Sequence, residues 1–254
     1  MLARKSRTYT VRLAFGTGTW EVARVEPLAV RLERIRGRMD RATERSGRAP
    51  GSVRLLAITK GFPAPVVRQA IELGLSELGE NRVQEAEEKI RELGPGPRWH
   101  LVGHLQTNKA RKAAPAFAMI QSVDSPDLLR KLDAAAADSG RAPELLVQVD
   151  LAGEATKHGA PPDEVPRILE EAGRCRAARV VGLMTLPPLP DTPEDARPWF
   201  RQLHDLREGW LGTGVPAGML REMSMGMSAD FEVAIQEGAT IVRVGTAIFG
   251  IRNP

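Results

Sequence analysis

The sequence predicts an α/β protein built as a single (β/α)8 barrel of the TIM type, with an extra helix before the first strand. Eight short apolar runs alternate with stretches whose apolar residues recur every three or four positions. The length of 254 residues is normal for one such barrel. A doubly wound open sheet is the competing architecture, but no glycine-rich fingerprint follows the first run to support it.

The first regular element is a helix, which we predict over residues 28–46. Its apolar residues are spaced by three and four positions and therefore share one helical face: Leu28, Leu32, Ile35, Met39 and Ala42. Gly47 and Pro50 follow and end the helix. Only residues 251–254 follow the last barrel motif, so we expect this first helix to take the place of a helix after the eighth strand.

Residues 1–27 lie outside the regular pattern. Their basic residues resemble the start of a signal peptide, but no apolar segment of secretory length follows, and Gly16 and Gly18 interrupt any helix. We therefore expect a poorly ordered N-terminal extension over 1–27, with a targeting role as the alternative. One barrel domain is expected over 28–254.

The strands of the barrel are predicted from eight apolar runs. In chain order these cover residues 54–59, 76–79, 99–103, 119–123, 145–150, 180–184, 222–225 and 240–244. Most are continuously apolar, which is typical of parallel strands covered on both faces, and the seventh is the least distinct. Amphipathic stretches between the runs predict helices, as at 66–71 and 165–172.

The composition excludes several classes of protein. Hydrophobic residues make up 42% of the chain and charged residues 27%, which is enough to bury a core and argues against disorder. No run approaches 18 apolar residues, so we expect no membrane-spanning helix. The single cysteine, Cys175, excludes a disulfide framework and a cysteine-based metal cluster, and it favours a cytoplasmic protein.

The charge distribution argues against a nucleic-acid partner. The net charge is +4, but basic residues stand beside acidic ones, and aromatic residues make up only 4% of the chain. Only seven of the 36 basic residues are lysines. Because lysine can react covalently with an aldehyde and arginine cannot, each lysine is a candidate for chemistry.

Lys60 is the most informative of these lysines. It ends the first apolar run, and we predict that it points into the carboxyl-terminal mouth of the barrel, where such barrels hold their active sites. Apolar surroundings disfavour the charged amine, and the neutral amine is the form that makes a Schiff base with an aldehyde. A lysine that only snorkels to solvent, or that pairs with Glu80, fits this position equally well.

The loops after the seventh and eighth strands predict a phosphate site. The first loop contains Ser224 and Ser228 and leads into a helix predicted to begin at Ala229, and the second contains Gly245 and Thr246. Backbone N–H groups and hydroxyls bind phosphate at this place in many barrels, although simple N-capping by Ser228 is an alternative. A phosphate site beside a reactive lysine indicates either pyridoxal 5′-phosphate or the substrate of a phosphosugar aldolase.

Several motifs resemble those of the pyridoxal phosphate homeostasis protein family. They are LLAITK at 55–60, GENRVQE at 79–85, WHLVGHLQ at 99–106, SVDS at 122–125, KHG at 157–159, GLMT at 182–185, MSMGMS at 223–228 and VRVGTAIFG at 242–250. The resemblance runs from about residue 28 to residue 250, in the right order. It implies a barrel similar to the N-terminal domain of alanine racemase, with pyridoxal 5′-phosphate as cofactor.

The resemblance also implies the roles of individual residues. Lys60 corresponds to the lysine that holds the cofactor as a Schiff base, Arg243 to the residue that faces the pyridine nitrogen, and Asn81 to a residue near the ring. The phosphate-binding positions correspond to Ser224 and to the backbone of Gly245 and Thr246. A permanent cation beside the ring nitrogen keeps that nitrogen unprotonated, which makes the cofactor a weak electron sink.

The family resemblance implies a carrier for vitamin B6 homeostasis, without substantial catalysis. A racemase-like enzyme is the alternative, but the related racemases use a tyrosine as second base and a further C-terminal domain. The one tyrosine here, Tyr9, lies outside the matching region, and Cys175 is expected at the opposite end of the barrel. Lys157 is a candidate second acceptor during cofactor transfer. We expect a monomer whose partners are pyridoxal phosphate and the enzymes that receive it.

Two departures from the family pattern are visible, and we expect both to affect only local loop contacts. Gly61 and Phe62 follow Lys60 where threonine and lysine are common, and Gln121 stands where histidine is usual. His100 and His104 have metal-ligand spacing, but because no third ligand is evident we expect no metal site.

Overall fold

Eight parallel strands form a closed barrel in the computed structural model, which describes residues 26–154 and 158–251. The strands are β1 (Arg54–Ile58), β2 (Glu77–Glu80), β3 (Arg98–Leu101), β4 (Met119–Val123), β5 (Glu144–Val149), β6 (Arg179–Thr185), β7 (Glu222–Ser224) and β8 (Ile241–Val244). Each strand pairs with the next along the chain, and β8 pairs with β1 to close the barrel. The (β/α)8 prediction is confirmed, and the open sheet is wrong.

Helices surround the barrel. They are α1 (Leu28–Arg45), α2 (Ala64–Glu72), α3 (Val83–Leu93), α4 (Ala110–Ala116), α5 (Pro126–Ser139), α6 (Val165–Ala172), α7 (Arg197–Gly212), α8 (Phe231–Gln236) and α9 (Thr246–Phe249). Short 3₁₀ turns occur at Thr107–Lys109, Pro193–Ala196 and Ala217–Met219. None of these described helices is long and apolar enough to cross a membrane.

Helix α1 lies against α8 and α9, as the sequence predicts for the helix before the first strand. The five apolar residues predicted to share one face of α1 are all buried. The Arg38 guanidinium lies 4.6 Å from the centre of the Phe231 ring and 2.7 Å from the Glu232 carboxylate. Since α9 has only four residues, α1 supplies the apolar cover that a longer last helix would provide.

The N-terminal extension predicted over 1–27 lies almost wholly outside the described residues, and so do Tyr9 and Lys157. The described chain begins at Glu26, two residues before α1.

The amino-terminal end of the barrel is closed by a ring of alternating charges. Three arginines and three glutamates form this ring, so its formal charges cancel. In order, the N–O distances are 3.4 Å for Arg54–Glu77, 3.8 Å for Glu77–Arg98, 3.2 Å for Arg98–Glu144, 3.5 Å for Arg221–Glu222 and 3.0 Å for Glu222–Arg54, and Glu144 also pairs with Arg221. Single exposed pairs contribute little to stability, but here each charge is held by two neighbours.

Above this ring, apolar side chains fill much of the barrel interior. Leu56, Met119, Leu146, Val181 and Ile241 form one buried cluster, whereas the outward-facing residues of the strands join the larger core beneath the helices. The buried polar residues Gln121, Ser224 and Arg243 lie on the strands that enclose this apolar cluster.

Gly182 is required where β6 and β7 approach each other, because a Cβ at this position would lie 2.0 Å from the Glu222 carbonyl oxygen. We expect Gly182→Ala to lower the free energy of unfolding by about 1–3 kcal/mol, since the strands must separate. Gly209→Ala, in the open surface of α7, is the matched control and should raise it by about 0.5–1 kcal/mol. Urea denaturation measures both values, and equal effects would contradict this account.

Candidate functional site

The predicted site residues lie on four neighbouring strands, at their carboxyl-terminal ends. Ile58 of β1 is level with Gly79 of β2, and Ala57 is level with Val244 of β8. Lys60, Asn81 and Gly245 therefore follow adjacent strands at the same end of the barrel. Residues Ser224 and Arg243 are at the ends of β7 and β8 and complete the group on the β7–β8–β1–β2 side.

Arg243 is a buried cation without a carboxylate partner in ion-pair contact among the described residues. Its side chain is only 3% exposed. One Nη atom donates to Ser224 Oγ at 2.7 Å and the other donates to the Thr185 carbonyl oxygen at 2.8 Å. Burial lowers the pKa of Arg243 to about 10, so the guanidinium stays charged at neutral pH. This positive charge favours a ligand that is anionic or carries a lone pair.

A chain of hydrogen bonds continues from Arg243 down the barrel axis. Ser224 Oγ donates to Gln121 Oε1 at 2.6 Å, and Gln121 Nε2 donates to His100 Nδ1 at 3.1 Å. Burial, with smaller contributions from Arg54 and Arg98, lowers the pKa of His100 to about 3. The ring is therefore neutral, and since Nδ1 accepts, its proton is on Nε2, 3.3 Å from Glu77 in the charge ring.

The loop after β7 differs from its prediction in one respect. The helix that follows begins at Phe231 and not at Ala229, and Ser228 does not cap it. Instead, Ser228 Oγ accepts from the N–H groups of Gly245 and Ala247, each at 3.3 Å. The N-capping alternative is therefore wrong, because Asp230 precedes α8 directly and accepts from the Met227 N–H at 2.6 Å. Ser228 thus joins the β7 and β8 loops at the barrel mouth.

The residues predicted to bind phosphate have unequal access to a ligand. Gly245 is half-buried beside Ile58, and Thr246 is exposed at the start of α9. The Ser224 hydroxyl is fully buried, and its single proton is already donated to Gln121. The Ser228 hydroxyl has no acceptor for its proton among the hydrogen bonds of the described chain, so this proton can be donated to an anion.

Lys60 lies in a tight turn that follows β1. The Phe62 N–H donates to the Thr59 carbonyl oxygen at 3.1 Å, and Gly61 has a φ of +74°, as the third residue of a type II turn does. Glu80, which the sequence offers as an ion-pair partner for Lys60, binds Lys89 at 2.7 Å. Lys89 is not among the predicted site residues, although its spacing of three and six residues from Ala86 and Val83 places it on the buried side of α3.

Asn81 lines a cleft of about 310 Å3 between the loops after β2 and β3. Gly103 allows the two loops to approach closely, because a Cβ there would lie 2.2 Å from the Asn81 carbonyl oxygen. His104, in the same cleft, stacks on His158 with ring centres 3.6 Å apart. No group of three metal-ligating side chains is found in residues 26–154 and 158–251.

Cys175 is far from the mouth, in the connection from α6 to β6 at the amino-terminal end of the strand. Burial, together with Asp133 and Glu171, raises the pKa of its thiol to about 11. A thiol with this pKa carries almost no thiolate at neutral pH, so Cys175 is neither placed nor activated for chemistry at the site.

Comparisons with known proteins agree on one family. The family model of the alanine racemase N-terminal domain matches residues 30–253. The pyridoxal phosphate homeostasis protein of Aquifex aeolicus is 40% identical over 224 residues, which cover 88% of this chain and 97% of the relative. The chain belongs to the pyridoxal phosphate homeostasis protein family. The human protein of this name is 37% identical over 236 residues, 87% of this chain and 86% of its own.

Solved structures resemble this chain over most of its length. PipY of Synechococcus elongatus PCC7942, solved with PLP bound, is 39% identical and has a TM-score of 0.78, covering 88% of this chain and all of PipY. Alanine racemase of Clostridium difficile 630 is only 17% identical, with a TM-score of 0.68 over 87% of this chain and 56% of the racemase. The similarity to alanine racemase therefore concerns the fold alone.

The two departures from the pattern of the pyridoxal phosphate homeostasis protein family, at Gly61 and Phe62 and at Gln121, affect different parts of the structure. Gly61 affects a surface turn, as expected. Gln121 does not: it is fully buried in β4 and links Ser224 to His100 on the barrel axis. The expectation that Gln121 affects only loop contacts is therefore wrong, because the alternation of side chains in β4 points residue 121 inward.

The buried neutral His100 predicts a loss of stability in acid. The unfolded chain binds a proton below its ordinary pKa of 6.5, whereas the folded ring resists protonation until about pH 3. The free energy of unfolding should therefore fall by about 1.4 kcal/mol for each pH unit below 6.5. His100→Asn should remove this part of the slope between pH 6.5 and 5, measured by denaturant unfolding.

His204→Asn is the control for this measurement, because His204 lies on the exposed surface of α7 with its side chain 41% accessible. It should leave the slope unchanged. An identical pH slope in the wild-type protein and the His100→Asn variant would contradict the assignment of a neutral buried ring.

Proposed function

We propose that this protein binds pyridoxal 5′-phosphate at the barrel mouth, with Lys60 as the point of covalent attachment, and carries the cofactor for vitamin B6 homeostasis. The observation that supports this most is the buried Arg243 guanidinium, whose hydrogen-bond partners are a hydroxyl and a carbonyl oxygen. Arg243 lies near the end of β8 and Lys60 follows the adjacent strand β1, so we propose that a cation and a primary amine face the same opening.

The residues present fit this cofactor. When bound, pyridoxal phosphate supplies an aldehyde that condenses with a primary amine, a pyridine nitrogen that accepts a hydrogen bond, and a phosphate. Lys60 offers the amine, and Arg243 offers a fixed positive charge to the ring nitrogen. Asn81, on the strand beyond Lys60, borders the same opening and is proposed to contact the ring.

The phosphate end is assigned to the loops after β7 and β8. The backbone of Thr246 and the hydroxyl of Ser228 lie where these loops meet, and Gly245 stays a prediction as a phosphate ligand, since its N–H donates to Ser228 Oγ at 3.3 Å. Ser224 stays a prediction as a phosphate ligand, since it would have to withdraw its proton from Gln121 to donate to an anion. We propose that Ser224 instead orients Arg243, and that Ser228 contacts the phosphate.

We further propose that the protein holds its cofactor without substantial catalysis. Arg243 stays charged at neutral pH and keeps the ring nitrogen unprotonated, so the bound cofactor withdraws electrons weakly. No tyrosine occurs in the described part of the chain to act as a second base, and Cys175 is remote from the mouth. We also propose that the protein is a cytoplasmic monomer that delivers the cofactor to recipient enzymes. Lys157, which lies outside the described residues, is proposed as a second acceptor of the cofactor during this transfer.

Attachment at Lys60 is tested by absorbance and by chemical trapping. Mixed with pyridoxal phosphate, the wild-type protein should show a visible absorbance band, and borohydride should fix the cofactor on the peptide that contains residue 60. Lys60→Ala should lose both signals, because its side chain has no amine. Lys109→Ala, in the neighbouring cleft, should keep them.

Three results would count against the proposal. An unchanged band in Lys60→Ala would exclude attachment at Lys60. Loss of optical rotation in an amino-acid solution with purified protein would favour a racemase. Borohydride trapping of a cleaved sugar phosphate, without any bound pyridoxal, would favour an aldolase.

The phosphate contact of Ser228 is tested by comparing two ligands. We expect Ser228→Ala to weaken binding of pyridoxal phosphate about tenfold, because it loses a hydrogen bond to a charged group. Binding of pyridoxal, which lacks the phosphate, should change much less. Titration of the absorbance band gives both affinities, and an equal loss for the two ligands would show that Ser228 acts on the loop and not on the phosphate.

A further inference from the structure

We propose that Lys89, together with Glu80 and Glu85, is a positioning cluster that holds the turn carrying Lys60. This inference rests on the proposed function in one respect, namely that the Lys60 amine attaches the cofactor. The cluster comes from β2 and α3, whereas the turn follows β1, so it connects three elements of the barrel.

Lys89 is a buried lysine with all three of its donors in use. Its side chain is 8% exposed, and it lies on the same side of α3 as the buried residues Val83 and Ala86. Its Nζ donates to the Thr59 carbonyl oxygen at 2.7 Å, to Glu80 Oε1 at 2.7 Å and to Glu85 Oε1 at 2.8 Å. An ammonium group has three protons, so this arrangement satisfies Lys89 completely.

The contacts of the cluster reach the chain on both sides of Lys60. Before it, the Thr59 carbonyl oxygen accepts from Lys89, and Thr59 Oγ donates to Glu80 Oε1 at 2.5 Å. After it, the Gly61 N–H donates to Glu85 Oε1 at 2.6 Å. The turn is thus anchored by side chains at residues 59 and 61, on both sides of Lys60.

The anchoring by Glu85 persists at neutral pH. Burial raises the pKa of this carboxyl group, but hydrogen bonds from Lys89 and from the Gly61 N–H outweigh burial and lower it overall. Burial raises the pKa of Glu80, whose Oε2 has no hydrogen-bond partner in the described chain. The two carboxyl groups therefore differ, because hydrogen bonding outweighs burial at Glu85 and burial outweighs hydrogen bonding at Glu80.

Stability alone does not account for this cluster. Burying charged groups is costly even when they are paired, and apolar side chains of similar size commonly stabilise a fold equally well. The cluster fixes the directions of two backbone groups, the carbonyl of residue 59 and the N–H of residue 61. Apolar residues would not do this, because only hydrogen bonds hold such groups in fixed directions. A reactive amine gains from such fixed placement, since an error of about 1 Å can cost about a hundredfold in rate.

The test compares Glu85→Ala with Glu88→Ala, a substitution of the same kind on an exposed residue of the same helix. We expect Glu85→Ala to speed hydrogen exchange of the Gly61 amide and to slow attachment of pyridoxal phosphate to Lys60, each by about tenfold. Glu88→Ala should change neither. Glu85→Gln keeps an oxygen that accepts from the Gly61 N–H, and it should restore most of the attachment rate.

Lys89→Met provides a second line of evidence if it folds, with Lys131→Met as its control, because Lys131 also pairs with an acid four residues away on a helix. If the cluster had only a structural role, a substitution in it would lower the thermal midpoint of unfolding. At temperatures below that midpoint, the exchange rate of the Gly61 amide and the rate of attachment to Lys60 would be unchanged. That result in Glu85→Ala would overturn the proposal.

Failure of the proposed function gives a different pattern. If the wild-type protein does not attach pyridoxal phosphate at Lys60, the carrier proposal is wrong. The amide exchange of Gly61, and the rate at which Lys60 is methylated by formaldehyde and borohydride, still decide the positioning role. Equal exchange and equal methylation in Glu85→Ala and Glu88→Ala would then exclude it.

Discussion

The charge of Arg243, enclosed in a barrel, is the constraint on which the site depends. A buried cation is costly unless its hydrogen bonds are made. Here Ser224 and the Thr185 carbonyl oxygen accept from it, and Ser224 is in turn held by Gln121 and His100. Both of these hydrogen-bond partners are neutral, and in the described chain the Asp230 carboxyl group acts on the guanidinium charge only from beyond ion-pair contact. The interior thus places a buried guanidinium at the carboxyl-terminal end of the barrel.

The fold was largely predictable because parallel strands buried on both faces leave continuous apolar runs in the sequence. Even β7, with three residues, was marked by the serine and glycine loop that follows it. The face of α1 was predictable from spacing alone. These signals are local, and each is contained in a stretch of fewer than twenty residues.

The site was predictable only in part, because its supporting contacts join distant residues. Lys60 and Arg243 were found from strand ends and from family resemblance. The spacing of Lys89 from Val83 and Ala86 marks it as a residue on the buried side of its helix, but only the closed barrel brings it to the Thr59 carbonyl oxygen. Gln121 was assigned to a loop contact because the sequence does not reveal that its strand faces the axis beside Ser224.

The ring of charges at the amino-terminal end affects how a ligand enters and leaves the barrel. Paired side chains such as Arg54 and Glu222 close that end, and the strands close the wall, so a molecule held at the mouth departs through the opening by which it arrived. Arrival and departure are then mutually exclusive events at a single aperture. Under the proposed carrier function, a protein that collects the cofactor directly would dock over this opening and, while docked, would prevent a second molecule from entering.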